Sequence, residues 1–167
     1  MGIAARAAAA SRMTVVISRA TDGDIPTIVA IERRAFSDPW SASSFREALL
    51  HPAVFFACAR RRGDGRNAPE VVVGYVVAWF VADEGEIANL AVDPEGWGSG
   101  IGQSLLDAAL SEGERRGAAA VYLEVRDSNE RARRLYRSRR FEEVGRRRGY
   151  YQRPPEDAIV LRRMLNP

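Results

Sequence analysis

The feature that most constrains this chain is a glycine-rich stretch placed between a strand pattern and a helix pattern. Residues 94–102 read Pro-Glu-Gly-Trp-Gly-Ser-Gly-Ile-Gly, and they follow the short apolar segment 86–92. Directly after them, apolar residues recur at helical spacing, namely Leu105, Leu106, Ala109 and Leu110. The pattern predicts a strand, a tight turn and a helix that begins near Gly100.

A strand, a glycine-rich turn and a helix in this order are suited to binding a phosphate. Backbone N–H groups of the turn can point at the anion, and the helix N-terminus adds about half a positive charge. The spacing of Gly98, Gly100 and Gly102 differs from the dinucleotide-binding fingerprint, and the loop follows a fourth strand rather than a first one. For the glycines alone, a flexible connector is the alternative interpretation.

The other patterns predict one α+β domain over residues 14–167, preceded by a disordered tail over residues 1–13. Strands are predicted over residues 14–18, 54–59, 71–81, 86–92, 118–125, 141–144 and 158–161. Helices are predicted after Thr21–Asp24, after Ser41 or Ser43, from about Gly100, and over residues 129–139. Polar turns are predicted at 60–69 and 83–85.

Composition excludes several classes of protein. A single cysteine, Cys58, and a single histidine, His51, exclude a disulfide framework and a His/Cys zinc site. Cys58 lies in an apolar run and is predicted to be buried. All 25 lysine or arginine positions are arginine, so no P-loop lysine exists. No run approaches the roughly 18 apolar residues of a membrane span, which predicts a cytoplasmic protein without membrane contact.

The order of the motifs resembles the GNAT acetyltransferase superfamily. The resemblance rests on Asn89–Pro94, the glycine loop, Leu105-Leu106 and Leu123–Asn129, and it extends over about residues 15–165. It implies a GNAT fold, which is an α+β fold whose mixed, mostly antiparallel sheet of about seven strands is flanked by about four helices. It also implies acetyl-CoA as the cosubstrate and no metal.

Four segments are similar to the RimI branch, which acetylates the N-terminal alanine of a small-subunit ribosomal protein. They are residues 36–41, residues 123–129 followed by Leu135-Tyr136, residues 147–151 and residues 156–161. The resemblance therefore implies a protein N-terminus as the acceptor, with no direct binding of nucleic acid. Two positions depart from the family pattern. Trp97 replaces the first Gln or Arg of the loop, so cofactor binding is expected to rely on backbone amides and to be weaker. Arg140 replaces a glycine, which is expected to change the turn there.

The resemblance also implies a set of cofactor-binding residues. The pantetheine arm would add to the sheet edge along Leu90–Val92, the amide of Val92 or its neighbour would face the thioester oxygen, and the pyrophosphate would rest on the loop amides. The full set is Leu90, Ala91, Val92, Trp97, Gly98, Ser99, Gly100, Ile101, Gly102, Gln103 and Asn129. Asn129 is also predicted to cap the helix that follows it.

Two residues are candidates for acid and base. Tyr136 is the candidate general acid for the departing thiolate, and a tyrosine that only anchors its helix is the alternative. Glu124 is the candidate general base, acting through water, because strand alternation turns its side chain away from Leu123 and Val125. A carboxylate that merely faces solvent is the alternative for Glu124.

Other side chains are candidates for recognising the acceptor. Trp40, Tyr150 and Tyr151 are expected to wall a peptide groove, with simple packing as the alternative. Acidic contacts to a basic acceptor are expected from Glu32, Asp38, Glu84 and Glu86. Arginines within residues 131–140 are interpreted as a solvated face, with a nucleic-acid surface as the alternative. One or two of them are candidates for contacting the 3′-phosphate of the cofactor. Two functional alternatives remain open: a GNAT enzyme for a small-molecule amine or lysine side chain, and a non-catalytic acetyl-CoA-binding module.

Overall fold

The computed structural model describes residues 14–63 and 65–165. The predicted tail, residues 1–13, lies outside them. Seven strands form one sheet in the order β1-β2-β3-β4-β5-β7-β6, and only the β4–β5 pair is parallel. The strands are β1 (Thr14–Arg19), β2 (Val54–Arg62), β3 (Glu70–Val81), β4 (Glu84–Val92), β5 (Ala120–Arg126), β6 (Glu142–Gln152) and β7 (Pro155–Met164).

Four helices cover the sheet. They are α1 (Ile25–Ala35), α2 (Ala42–Leu50), α3 (Ile101–Arg115) and α4 (Glu130–Ser138), and single 3₁₀ turns precede α1 and follow β4. Helices α1 and α2 pack on one face of the sheet over Tyr75 and Val77. Helices α3 and α4 pack on the opposite face over Leu123 and Val125. This architecture confirms the predicted mixed, mostly antiparallel α+β fold.

Strands β4 and β5 separate halfway along their length. They pair from Glu84 opposite Ala120 to Ile87 opposite Leu123. On the other side of β4 the register with β3 shifts, because Ala88 is an extra residue opposite β3. Such a bulge bends a strand and increases its twist. Beyond it, no described strand pairs with the β5-facing edge of β4, and a wedge-shaped gap opens in the sheet.

Several predicted boundaries were wrong. The predicted turn at 60–69 begins too early, because Arg60–Arg62 continue β2 between β1 and β3. The predicted turn at 83–85 is also misplaced, since the chain reverses at residues 82–83 and Glu84 already pairs with Val81. The predicted strands 141–144 and 158–161 are much too short. The β6–β7 hairpin extends as far as Gln152 and Pro155. Its outer part is held by hydrogen bonds between the strands, and its β6 residues are mostly polar and exposed, without an alternation of apolar residues.

Two further expectations concern single residues. Cys58 is confirmed as buried, and burial raises the pKa of its thiol to about 12. Arg140 adopts the left-handed conformation, with φ of 63°, that glycine would supply. A residue other than glycine in this conformation costs about 1–2 kcal/mol locally. Within the described ranges, no helix has the length and apolar character needed to cross a bilayer.

Candidate active site

The gap between β4 and β5 exposes backbone donors and acceptors of β4. Asp93 donates its N–H to the carbonyl of Val73 on β3. Antiparallel ladders alternate in direction, so the N–H groups of Leu90 and Val92 point away from β3 and into the gap. The carbonyl of Val92 accepts a hydrogen bond from the indole of Trp97, at 3.0 Å. The free groups on this edge are therefore the Val92 N–H and both backbone groups of Leu90.

The glycine loop lies directly beyond the open end of this edge. Gly98 and Gly100 have φ of 79° and 81°, and α3 begins at the next residue, Ile101. No described residue accepts a hydrogen bond from the N–H groups of residues 98–103. Unpartnered amides at the N-terminal end of a helix are groups that can bind an anion.

Trp97 brings an arginine from another element to this loop. The guanidinium of Arg131, in the first turn of α4, stacks on the Trp97 ring with its carbon 3.3 Å from the ring centroid. Arg131 forms no ion pair with another described residue, whereas Arg133, Arg134 and Arg137 all pair with Glu130. The loop therefore lacks basic side chains of its own, but a positive charge lies against its aromatic residue.

Tyr136 lies on α4, on the face of the sheet opposite to α1 and α2. Its ring is 7% exposed and packs edge-on against Phe141. Burial raises the pKa of its phenol, and nearby Tyr151 adds to the effect. No described residue hydrogen-bonds the Tyr136 hydroxyl. Every fully buried side-chain oxygen of the described residues has a hydrogen-bond partner, so this hydroxyl is not fully buried. The Tyr136 hydroxyl must therefore reach an opening accessible to water or ligand.

Glu124 occupies the face of β5 that the alternation predicts. Leu123 and Val125 are buried, while Glu124 is partly exposed on the face covered by α1 and α2. The Arg147 Nε lies 2.8 Å from its carboxylate. The Tyr150 phenol also faces this carboxylate, and that contact is the main reason why the pKa of Tyr150 is raised. A carboxylate and a phenol thus meet on one side of the gap.

Tyr151 links Glu124 with Tyr136. Burial, followed by the Glu124 charge and Tyr150, raises the pKa of the Tyr151 phenol to about 12. Its ring packs edge-on against Tyr150. Both tyrosines belong to strand β6, beyond the end of the strand that was predicted over residues 141–144. A register shift between Arg147 and Tyr151 lets consecutive side chains face the same region.

Arg126 closes this end of the site, and the sequence analysis assigned it no role. Its guanidinium lies 4.2 Å from the Tyr151 ring centroid and donates to the Arg153 carbonyl at 3.0 Å and to Ser37 Oγ at 3.2 Å. Ser37 in turn donates to the same carbonyl. The α1–α2 segment and the β6–β7 hairpin therefore meet over the end of β5.

Glu32 does not contact an acceptor, so that expectation was wrong. It is 1% exposed and lies beneath the β4 bulge. Its carboxylate accepts hydrogen bonds from the Tyr75 hydroxyl, from the Asn89 amide at 2.9 Å and from the Trp40 backbone N–H at 2.9 Å. Burial raises its pKa, against the effect of the N–H groups of Trp40 and Asn89. Glu32 thus fixes the α1–α2 segment to the strand that borders the gap.

The remaining predicted residues lie apart from this centre or serve as supports. The Asn129 side chain accepts from the Ala132 N–H at 3.2 Å, which confirms its capping role. Trp40 is half-buried against Phe45 and lines a separate cavity with Trp79. The structure therefore brings Glu124, Tyr136, Tyr150 and Tyr151 together but places Trp40 beyond them.

The sequence carried partial signals for the residues that were missed. Arg126 lies inside the segment 123–129 that carries the family resemblance, on the same strand face as Glu124. Glu32 interrupts the apolar stripe of α1 on its buried side, and an acidic residue at such a position requires buried partners. Nothing local in the sequence indicated that Arg131 stacks on Trp97.

Sequence comparison identifies the class of protein that this fold and site define. The acetyltransferase (GNAT) family profile matches residues 25–141, which is more than half of the chain. The chain therefore belongs to the GNAT acetyltransferase family and is an acetyl-transferring enzyme, as the sequence analysis predicted.

Comparison with individual relatives shows which members of the GNAT family this chain is similar to in sequence and structure. The chain is 35% identical to the [ribosomal protein bS18]-alanine N-acetyltransferase of Escherichia coli K12, over 87% of this chain and 94% of the relative. It is 36% identical to the N-alpha-acetyltransferase RimI of Mycobacterium tuberculosis, over 89% of this chain and 92% of the relative. The crystal structure of the ribosomal-protein-S18-alanine N-acetyltransferase from E. coli superposes with a TM-score of 0.79 at 32% identity, covering 92% and 96% of the two chains. The enzyme is thus RimI-like.

Arabidopsis thaliana NAA60, solved in complex with acetyl-CoA, shares the fold. It superposes with a TM-score of 0.82 at 20% identity, covering 90% of this chain and 99% of NAA60.

Proposed function

We propose that this enzyme transfers the acetyl group of acetyl-CoA to the free α-amine of a protein N-terminus. The acceptor is an alanine-starting chain, in particular that of a small-subunit ribosomal protein, as the names of the relatives suggest. The observation that carries the proposal is the gap between β4 and β5. Unpaired β4 amides border it on one side, and Glu124 and the Tyr136 hydroxyl lie at the other.

The residues present fit acetyl-CoA, which supplies the acetyl group as a thioester. The free backbone groups of Leu90 can pair with a pantetheine arm laid along β4, as an added strand would. The Val92 N–H can donate to the thioester oxygen as negative charge develops there. The amides of residues 98–103 and the guanidinium of Arg131 can donate hydrogen bonds to phosphate.

Proton transfer falls to two side chains that belong to opposite faces of the sheet, Glu124 on the α1–α2 face and Tyr136 on the α3–α4 face. The acceptor amine must lose a proton as it attacks, and Glu124 takes this proton through a water molecule. The departing thiolate must gain one, and we assign Tyr136 as its donor. Because burial raises its pKa, Tyr136 stays protonated throughout the working pH range and remains a donor.

A hexapeptide assay tests the proposed acceptor. Release of CoA thiol from acetyl-CoA is measured with an alanine-starting hexapeptide, with the same peptide already N-acetylated, and with an N-blocked peptide that contains lysine. Turnover with only the free α-amine is expected. Turnover with only the lysine peptide would replace the proposal by a lysine acetyltransferase. Silence on all three, with acetyl-CoA still bound, would favour a small-molecule acceptor or a non-catalytic binding module.

Replacing Arg131 should weaken cofactor binding. We expect Arg131→Ala to raise the Kd for CoA about tenfold, because one charge-assisted contact to phosphate is lost. Isothermal titration with CoA and with dephospho-CoA measures the change and identifies the phosphate involved. Arg134→Ala is the matched control, because Arg134 lies on the same helix and is 76% exposed beside Glu130. Equal Kd values for both variants and the wild type would remove Arg131 from the phosphate site.

Replacing Glu124 should make the rate more sensitive to acid. An α-amine has an ordinary pKa near 8 and is mostly protonated below it. Without a base, only the neutral fraction of the acceptor reacts, so the loss in Glu124→Gln grows as the pH falls. We expect kcat/KM to drop about tenfold at pH 8.5 and about fiftyfold at pH 7. Glu143→Gln, on an exposed position of β6, should retain the wild-type profile. A uniform loss at both pH values would assign Glu124 a positioning role instead.

A further inference from the structure

A separate cavity of about 290 Å³ lies between α2 and β3. Its lining consists of Trp40, Ser44, Glu47, Ala48, His51 and Trp79. The His51 ring packs against Trp79 with centroids 4.6 Å apart, and its Nδ1 accepts the Ala53 N–H at 3.1 Å. The His51 ring is therefore held in place as one side of the cavity, and the partly exposed rings of Trp40 and Trp79 form its accessible surface.

The cavity lies on the same face of the sheet as Glu124. Trp79 packs with the core on the α1–α2 face. Trp79 is paired with Glu86 on β4, and Glu86 is paired with Tyr122 on β5. Directly paired residues project to the same face, as do residues two apart on one strand. Trp79, Glu86, Tyr122 and Glu124 therefore share one face, and the exposed Glu86 shows that the strip between them is open.

The span between Glu124 and the cavity matches a short extended peptide. From Trp79 to Glu124 there are two strand spacings across the sheet and two residues along β5, which is roughly 12 Å. An extended chain advances about 3.3 Å per residue. If the α-amine lies at Glu124, the third to fifth residues of the acceptor lie opposite the cavity.

The charges at the cavity favour a cation. Glu47 and Glu86 form no ion pair with another described residue. Arg46, the neighbour of Glu47 on α2, turns towards Asp22 instead, at 3.3 Å. Tryptophan is the aromatic side chain that attracts a cation most strongly across its face. A guanidinium can stack on an indole and still donate its edge to a carboxylate.

We propose that this cavity binds a basic side chain, arginine in preference to lysine, from the third to fifth position of the acceptor chain. The inference rests on the proposed function, because it takes the acceptor to be a polypeptide whose amine reaches Glu124. The cavity then provides part of the sequence specificity of the enzyme at a distance from the reacting atoms.

An arginine scan tests this subsite. Octapeptides begin with alanine and carry one arginine at each position from two to seven in a serine and glycine background, with a glutamine series for comparison. Binding to the CoA-saturated protein is measured by fluorescence anisotropy, and acetylation by thiol release from acetyl-CoA. Arginine at positions three to five should lower both Kd and KM about tenfold relative to glutamine. Lysine should give a smaller gain.

Charge-removing variants connect the preference to the cavity. Glu47→Gln combined with Glu86→Gln should abolish the arginine preference and leave the KM for acetyl-CoA unchanged. Glu114→Gln removes the same type of charge from an exposed position of α3, on the opposite face, and should retain the preference. The preference should also weaken as salt concentration rises.

The outcomes separate this inference from the proposed function. Acetylation of all peptides without arginine preference, or with a preference that survives the double variant, would overturn the subsite and leave the function standing. Arginine-dependent binding that needs both carboxylates, without acetylation, would support the subsite and overturn the proposed function. Absence of both binding and acetylation would overturn both.

Discussion

Tyr136→Phe should reduce kcat by about a hundredfold to a thousandfold while leaving the Kd for acetyl-CoA within about twofold. The expectation rests on the isolation of the Tyr136 hydroxyl, which no described residue hydrogen-bonds. Its removal breaks no structural contact, whereas the ring that packs against Phe141 is kept. The departing thiolate loses its donor, and only water can replace it.

Three measurements distinguish this role from packing. Steady-state rates at saturating acetyl-CoA give kcat, titration gives the Kd, and thermal unfolding reports stability. A general acid predicts a large loss in kcat with unchanged Kd and Tm. Comparable losses in kcat and Tm would show that Tyr136 chiefly anchors α4, and a kcat within twofold of the wild type would remove it from the chemistry.

Gly100→Val should raise the Kd for CoA at least a hundredfold. Gly100 has φ of 81°, a conformation that costs other residues about 1–2 kcal/mol and β-branched residues more. An added side chain meets only the Gln103 carboxamide, at 3.6 Å, and otherwise projects into the open space above the loop. Valine would therefore disturb the unpartnered amides and cover the place where a phosphate should lie.

Gly117→Val is the matched control for backbone strain. Gly117 has φ of 80° and open space around the added carbon, but it lies beyond the other end of α3, roughly 22 Å away along the helix. Both variants should lose similar amounts of unfolding free energy, and only Gly100→Val should lose CoA binding in titration calorimetry. Retained binding in Gly100→Val would place the phosphates elsewhere.

The Trp97–Arg131 stack bears on how strongly the glycine loop binds the cofactor. Trp97 replaces a residue that is usually polar or basic, which predicted weaker binding of the cofactor. In the structure, the indole fixes the Val92 carbonyl at 3.0 Å and carries the Arg131 guanidinium on its face. The charge that the loop lacks is thus supplied by α4, so we expect the departure to change how phosphate is bound rather than whether it is bound.

Local patterns in the sequence were sufficient for much of the site. The glycine loop, the Asn129 cap and the outward direction of Glu124 each depend on a few neighbouring residues. Turn chemistry, capping and strand alternation are set within that range. The seven strands and four helices were predicted for the same reason, since their periodicities are local, although several strand ends were predicted wrongly.

Only the tertiary structure decided how distant segments meet. The β4–β5 pairing ends next to the bulge at Ala88, and no residue pattern in β4 indicated that bulge. The burial of Glu32, the stacking of Arg131 on Trp97 and the position of Tyr150 and Tyr151 beside Glu124 all join segments far apart in the chain. Hydrophobic periodicity reports which face of an element is buried, but it does not report what lies opposite that face. The sequence therefore determined the elements and the candidate residues, and packing between elements determined which of those residues share a site.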